Sequence, residues 1–461
     1  MIYQNNTFIG REDELSVLEK CYASNGFQFI TITGRDGIGK TALLREFCKG
    51  KKAILFSAIK SDAVNNLKAL SRAVSKSLYK EVRDLVTFKS MDSALEFIHR
   101  LAEKGREVVV IDNYDDLVSS IEGLPELIKT YLSHIFPKRN IMLILTGSEQ
   151  FMDSQTFGMD PVSIHLENLS FSEMRDSFRT FQDYDLVTLY AMTGGDPNVL
   201  RHVDPDRSIR DNIDSLCLSS DGIMFDLPLR RMMSHLRSPE AYCSLLTAIS
   251  GGLTPMKDIV SRTSMGSSAA CSTYLSNLVD LGLVEKEVPF HERNSRKGLY
   301  RISDIPTAFW TRFIQGNQSL IEFRGDEDLY GRIVEKGLEQ HMQQVFREIC
   351  VMFIKENPSL LDIDPGNIGR WWGQGDSGNE FIDIVVESND RMTTLFCDCR
   401  FRDSPVSMSV LNELKRKSER LNVFGRRTYA LFSMVGFTSD LNDISDEDDV
   451  FLFDLSDICW Y

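Results

Sequence analysis

Residues 27–47 read FQFITITGRDGIGKTALLREF. Phe27 to Ile32 has the length and β-branching of a central parallel strand. Leu43, Leu44 and Phe47 give the segment after Lys40 the apolar face of a helix. Between them stands Gly34-Arg35-Asp36-Gly37-Ile38-Gly39-Lys40-Thr41, a complete G-x-x-x-x-G-K-T. Glycines let backbone N–H groups converge on an anion without Cβ clashes, and a helix N-terminus adds positive partial charge. Lys40 is placed to reach the outer phosphates and Thr41 to offer its hydroxyl to Mg²⁺. The expected nucleotide contacts run from Gly34 through Arg35, Asp36, Gly37, Ile38, Gly39, Lys40 and Thr41 to Ala42. The strand and helix on either side predict an α/β fold with a parallel sheet.

Composition bounds the rest. A chain of 461 residues predicts about three domains. Its 42% hydrophobic content is enough for several cores. No run of eighteen apolar residues occurs, so no membrane partner is expected. The opening MIYQNNTFIGRED lacks the apolar core of a signal peptide. Nine cysteines without a C-x-x-C pair, and seven histidines with none placed to complete a zinc site, read as reduced thiols in a cytoplasmic protein. A net charge of −15 argues against wrapping nucleic acid along the whole chain.

Outward from the loop, Ala53 to Phe56 reads as a strand, and Asp62–Leu78 and Met91–Lys104 as helices. Arg106 to Asp112 is an apolar strand ending in an acid, which would deliver Asp112 to the ligand-binding edge of the sheet and to Mg²⁺. Asn140 to Thr146 is a further strand, leading into Gly147-Ser148, and Val162 to His165 is the last. Upstream, Phe8-Ile9-Gly10-Arg11-Glu12 forms a short turn before a helix, suited to packing against an adenine.

Together these motifs resemble the archaeal-type ATPases, a group among the STAND and AAA+ relatives of P-loop ATPases. The resemblance implies ATP and Mg²⁺ as ligands and puts Gly10 and Arg11 at the adenine pocket. It implies a γ-phosphate contact from Ser148, with Thr146 second, in a segment continuing to Phe151-Met152. The family usually has Glu after the strand-end Asp, where this chain has Asn113. A neutral amide can hold a water but cannot take its proton. Either the loss is compensated nearby, or hydrolysis is slow and ATP acts as a bound switch. Asp115 and Asp116 follow, but carboxylates two or three residues on need not reach the same water. Where the family carries Gly-Arg, this chain reads Phe157-Gly158-Met159-Asp160, without the arginine. Thr193-Gly194-Gly195-Asp196-Pro197 resembles the family's T-G-G-x-P, so Pro197 and Arg201 are expected near nucleotide. Assembly into a homo-oligomer is compatible with this family.

Residues 171–236 read as a helical lid. From 237 to 318 the order is helix-turn-helix and then two strands around HERNSRKG, a winged-helix pattern. Arg293, Arg296, Lys297 and Arg301 would meet DNA phosphates, but the recognition segment Gly266–Cys271 has almost no base-reading side chains. A protein or interdomain contact is the other use of the wing. Phe309, Trp310 and Phe313 read as core.

Residues 319–461 show a long helix, a strand with Asp383, a strand with Asp398, a helix and a strand, the order of restriction-endonuclease-like folds. The stretch also resembles the domain of unknown function that trails these ATPases, with its W-W, E-I-D and E-C-K. Asp383 and Asp398 match its two acids as metal ligands, with Glu348 or Glu339 as a third. Phe381 stands where the family often has Glu, and Arg400 where it has Lys. Arg binds phosphate but does not act as a base, so an inactive remnant is favoured over a nuclease. Residues 1–170 are then the ATPase core. The expected function is an ATP-binding, slow Mg-dependent ATPase working as a switch. The alternatives are an ATP-gated nuclease and a DNA-binding regulator.

Overall fold

A computed structural model describes residues 3–4, 7–78, 86–148, 152, 154–252, 254–263, 267–292, 298–323, 328–375, 378–444 and 449–461. The chain divides into two compact units, Met1–Leu169 with Asp196–Arg201, and Ser170–Gly195 with His202–Tyr461. The wing-tip residues Arg293, Arg296 and Lys297, together with Phe151 and Gly266, lie outside the described residues.

The first unit is built on five parallel strands: β1 Gln28–Thr33, β2 Ala53–Ser57, β3 Glu107–Asp112, β4 Ile141–Gly147 and β5 Val162–His165. Their order across the sheet is β2-β3-β4-β1-β5. β3 and β4 are buried at every position, and β1 at every position after the first. β2 and β5 form the edges; β2 alternates buried with more exposed residues, and β5 buries only Ile164. Successive side chains of a strand point to opposite faces, and the sequence supplies apolar groups to both. Ile30, Ile32, Val108, Val110, Met142 and Ile144 face one core with Leu18, Leu43, Leu44 and Phe47 from helices Glu12–Ala23 and Lys40–Phe47. Phe29, Val109, Ile111, Ile141, Leu143 and Leu145 face the other, under helices Ala63–Leu78 and Met91–Leu101. Each such side chain, fully buried, contributes about 1.5–3 kcal/mol. A sheet covered on both faces leaves only its strand ends for a ligand.

The second unit begins with helices Phe171–Ser177 and Asp183–Thr193; the latter is buried from Leu186 to Thr193. Helices Pro239–Ser250, Met256–Arg262 and Ser268–Asp280 are followed by the antiparallel pair β6 Val284–Glu287 and β7 Leu299–Ile302. Phe309, Trp310 and Phe313 are buried, and the Trp310 indole donates to the Phe225 carbonyl. Helix Glu335–Glu356 leads into a sheet ordered β8-β9-β10-β11-β12. These strands are Pro365–Gly375, Gly378–Ser388, Thr393–Arg400, Arg426–Ser433 and Val450–Phe453. The first three are antiparallel neighbours, and β10, β11 and β12 are parallel. Two of them were not legible in the sequence: β8, whose Gly and Trp residues lack clean alternation, and β12, which follows an acidic stretch. Among the described residues no helix is long and apolar enough to cross a membrane.

Candidate active site: the phosphate loop

The loop after β1 takes its shape from its glycines. Gly34, Gly37 and Gly39 have φ of 139°, 80° and 105°, a region L side chains rarely enter. A Cβ on Gly34 would come within 2.7 Å of the Leu166 carbonyl oxygen. Ile38 is buried and packs in the core below the loop, so it offers the loop its backbone rather than its side chain. Asp36 is exposed at the tip. The first intrahelical bond runs from Leu43 N–H to the Gly39 carbonyl at 3.0 Å, leaving the amides of Lys40, Thr41 and Ala42 in the first turn without such a partner. Lys40 Nζ donates to the carbonyls of Gly34 and Arg35. Burial pushes the Lys40 ammonium below its usual pKa, while Asp36, Asp112 and Asp115 push it back up.

Asp112 ends β3 as expected, and it is almost fully buried. Three hydroxyls converge on its carboxylate. Thr41 Oγ1 donates to Oδ2 at 2.7 Å, Ser57 Oγ to Oδ2 at 3.2 Å, and Thr146 Oγ1 to Oδ1 at 2.5 Å. Ser57 stands directly across the ladder from Asp112. All three donors are neutral hydroxyls. Among the described residues no three His, Cys, Asp or Glu side chains gather to hold a metal. One carboxylate beside one hydroxyl, completed by substrate phosphates, is the ligand set Mg²⁺ favours. The residues present therefore fit a magnesium nucleotide.

Residues 8–203 match a family described as an ATPase domain predominantly from Archaea. Residues 8–203 are thus an ATPase domain of archaeal type. Residues 310–418 match a second family, of archaeal and bacterial proteins of unknown function. An uncharacterized protein of Methanocaldococcus jannaschii is 26% identical over 463 residues, covering 98% of this chain and 99% of its own. Among solved structures, a Walker-type ATPase of Pyrococcus abyssi is 19% identical, covers 68% of this chain and 97% of its own, and has a TM-score of 0.48. The Aeropyrum pernix ORC1 protein in complex with DNA is 17% identical, covers 66% and 93%, and has a TM-score of 0.32.

The other expected residues of this ATPase are distributed as follows. Gly10 and Arg11 both have positive φ, and Arg11 is buried. Its guanidinium donates to the Glu167 carbonyl and pairs with Glu14 at 3.0 Å. Arg35 donates to Asn168 and pairs with the fully buried Asp196 at 3.1 Å. Asp196 also caps the short helix that starts at Pro197, and Asn198 of that helix lies against Gly37. Arg201 is exposed just past the helix end. Glu167, Asn168, Asp196 and Asn198 thus join the loop's surroundings; of these only Asp196 lies in a motif singled out in the sequence, and there as the variable position of T-G-G-x-P.

Asn113 has φ of 58°, a left-handed conformation that Asn tolerates well. Its side chain donates to Ser57 and to the Ala58 carbonyl, both at 3.4 Å. Ser148 is exposed, and its backbone N–H donates to Asp115 at 2.8 Å. Thr146 is fully buried and turned to Asp112, and it accepts the Asn113 N–H at 3.1 Å. Met159 packs partly against the core.

In the second unit Asp383 and Asp398 are neighbours across the ladder, one step beyond the Ile384–Cys397 pair. Arg400 clamps both oxygens of Asp398, and Asp383 accepts the Cys399 N–H at 3.1 Å. Glu339 is exposed. Glu348 belongs to an ionic cluster instead: it meets Arg347 at 2.9 Å and Arg301 at 3.2 Å. Arg347 also meets Glu287 of β6 at 2.8 Å. Burial pushes the Glu287 carboxyl up, but Arg347, Arg301 and Arg370 outweigh it and hold it below its ordinary value. Basic residues of helix Met408–Ser418 and beyond are paired as well. Arg416 and Arg420 meet Glu380, Lys417 meets Glu413, and Arg426 meets Asp362 and Asp449.

Proposed function

We propose that this ATPase is a nucleotide-driven switch that binds Mg-ATP at Lys40, Thr41 and Asp112 and hydrolyses it slowly. The observation that carries the reading is the 2.7 Å contact between the Thr41 hydroxyl and the buried Asp112 carboxylate, beside the Lys40 ammonium. Lys40 and the free amides of the first helical turn hold the phosphates, and bound Mg²⁺ would offset charge on the β- and γ-oxygens. Gly10 and Arg11 take the adenine side, and Ser148 lies by the γ-phosphate.

Chain connectivity supports the switch. The P-loop's Arg35 is paired with Asp196, yet the residues on either side of Asp196–Arg201 belong to the other unit. A loop rearranged by phosphate pulls on a segment covalently joined, at Gly195 and His202, to the rest of the chain. In this reading Arg301 serves the chain itself, through its ion pairs with Glu285, Glu287 and Glu348. Asp383 and Asp398 are structural.

Titration calorimetry tests the reading. Wild type binds Mg-ATP, and Lys40→Ala weakens binding at least about 100-fold. Equal binding by the two proteins would rule out this site.

A further inference from the structure

The strand-end Asp112 is followed by an amide, so the proton of an attacking water has no acceptor at position 113. Two side chains leave the end of β3 in different directions. The Asn113 amide turns to Ser57 and Ala58, at the end of β2. Asp115, in the first turn of helix Tyr114–Ser120, turns the opposite way, to the end of β4. β4 lies between β3 and the P-loop strand β1, whereas β2 is the far edge. Asp115 is therefore on the phosphate side of Asp112, and Asn113 is on the other.

The two oxygens of Asp115 are unequal. Oδ2 accepts the Ser148 N–H at 2.8 Å, which fixes the carboxylate. Oδ1 is closed off from solvent and makes no hydrogen bond among the described residues. It lies where a side chain at position 147 would begin, and Gly147 leaves it that room. Asp115 is also close enough to Lys40 to favour the charged ammonium. A carboxylate held by one oxygen, with its second oxygen uncommitted and a phosphate-binding lysine nearby, has the form of a general base.

We propose that Asp115 is the catalytic base of this ATPase and takes over the task that Asn113 cannot perform. The assignment rests on the nucleotide site proposed above. A lone pair of the water oxygen forms the bond to the γ-phosphorus. The bond from the γ-phosphorus to the bridging oxygen breaks, and its electron pair leaves on the β-phosphate of ADP. The water proton goes to the Asp115 carboxylate and from there to the released phosphate. Asp116, one residue on, has no part in the step.

The test is Asp115→Asn in the full chain, with Asp116→Asn beside it. Asn keeps an oxygen to accept the Ser148 N–H and loses only the basicity. Expected are a fall in kcat of at least about 100-fold, a Kd for Mg-ATP within about threefold of wild type, and no such fall in Asp116→Asn. Adding Asn113→Glu to Asp115→Asn should restore at least about tenfold. Wild-type turnover in Asp115→Asn, or an equal loss in Asp116→Asn, overturns the assignment while leaving the nucleotide site standing. Loss of Mg-ATP binding in Asp115→Asn makes the residue structural and also overturns it. Failure of the wild type to bind Mg-ATP would bring down both this assignment and the nucleotide site.

Discussion

Asp112 and Asp398 occupy comparable places and have opposite chemistry. Each lies at or near the end of a strand flanked on both sides, and each is almost fully buried. Asp112 is held by three hydroxyls, from Thr41, Ser57 and Thr146. Asp398 is clamped by one guanidinium, that of Arg400. Hydroxyls orient a carboxylate without supplying a countercharge. A bidentate arginine satisfies both geometry and charge. An aspartate at or near the end of an apolar strand is thus held by hydroxyls in one sheet and by an internal ion pair in the other. The difference lies in what the neighbouring elements bring.

The largest effect that would break this contrast is on nucleotide binding. Asp112→Asn should weaken ATP binding in the presence of Mg²⁺ by about 100-fold, or about 2.7 kcal/mol, and abolish its metal dependence. Asp398→Asn should leave it within about threefold. Titration calorimetry reads both, and equal effects would dissolve the distinction. So would Mn²⁺-dependent cleavage of DNA or RNA that Asp398→Asn removes.

A smaller effect sharpens the other half. Arg400→Leu leaves a buried carboxylate without its partner. Removing one member of a buried pair costs 3–5 kcal/mol, and the partial exposure of Arg400 reduces the expected loss to about 2 kcal/mol. All four tryptophans, Trp310, Trp371, Trp372 and Trp460, lie in the second unit, so their fluorescence reports its unfolding alone. Asp398→Asn combined with Arg400→Leu should recover part of the loss. Wild-type stability in Arg400→Leu would mean the pair does not hold Asp398.

The smallest effect separates the units by pH. His341 is buried in the second unit between Phe309 and Phe313, with Nε2 2.7 Å from the Ala191 carbonyl. Burial pushes its pKa down to about 4. Below about pH 6.5 the unfolded chain takes up a proton that the folded chain refuses. Stability contributed by the neutral ring is therefore full above that pH and falls as pH drops toward about 4. The loss should be about 1–2 kcal/mol by pH 5, seen as a falling tryptophan-detected midpoint. In His341→Gln the same pH change should have less effect; an unchanged slope would exclude His341 as its source.

Much of the first unit was legible in the sequence because its signals are local. The loop Gly34–Thr41 needs its glycines for backbone angles set within the loop, and β1, β3 and β4 are runs whose both faces are apolar. The expected strands fall within a residue or so of the observed ones. The order helix, helix, helix, strand, strand before residue 303 was readable for the same reason. The surroundings of the loop were not. Ser57 reaches Asp112 because two strands pair in one register, and Asp196 reaches Arg35 across more than 150 residues of chain. Asp115 turns toward β4 because the backbone at Asn113 is left-handed, and one helical turn decides where a side chain points. Arg400 reads as a stand-in for the family's lysine until its strand places it against Asp398. Residue types and spacing by themselves determined that a phosphate loop and a strand-end acid exist. Which groups surround that acid, and hence whether its charge is kept or cancelled, was decided only in three dimensions, because hydrogen bonds and ion pairs join residues by distance rather than by order along the chain.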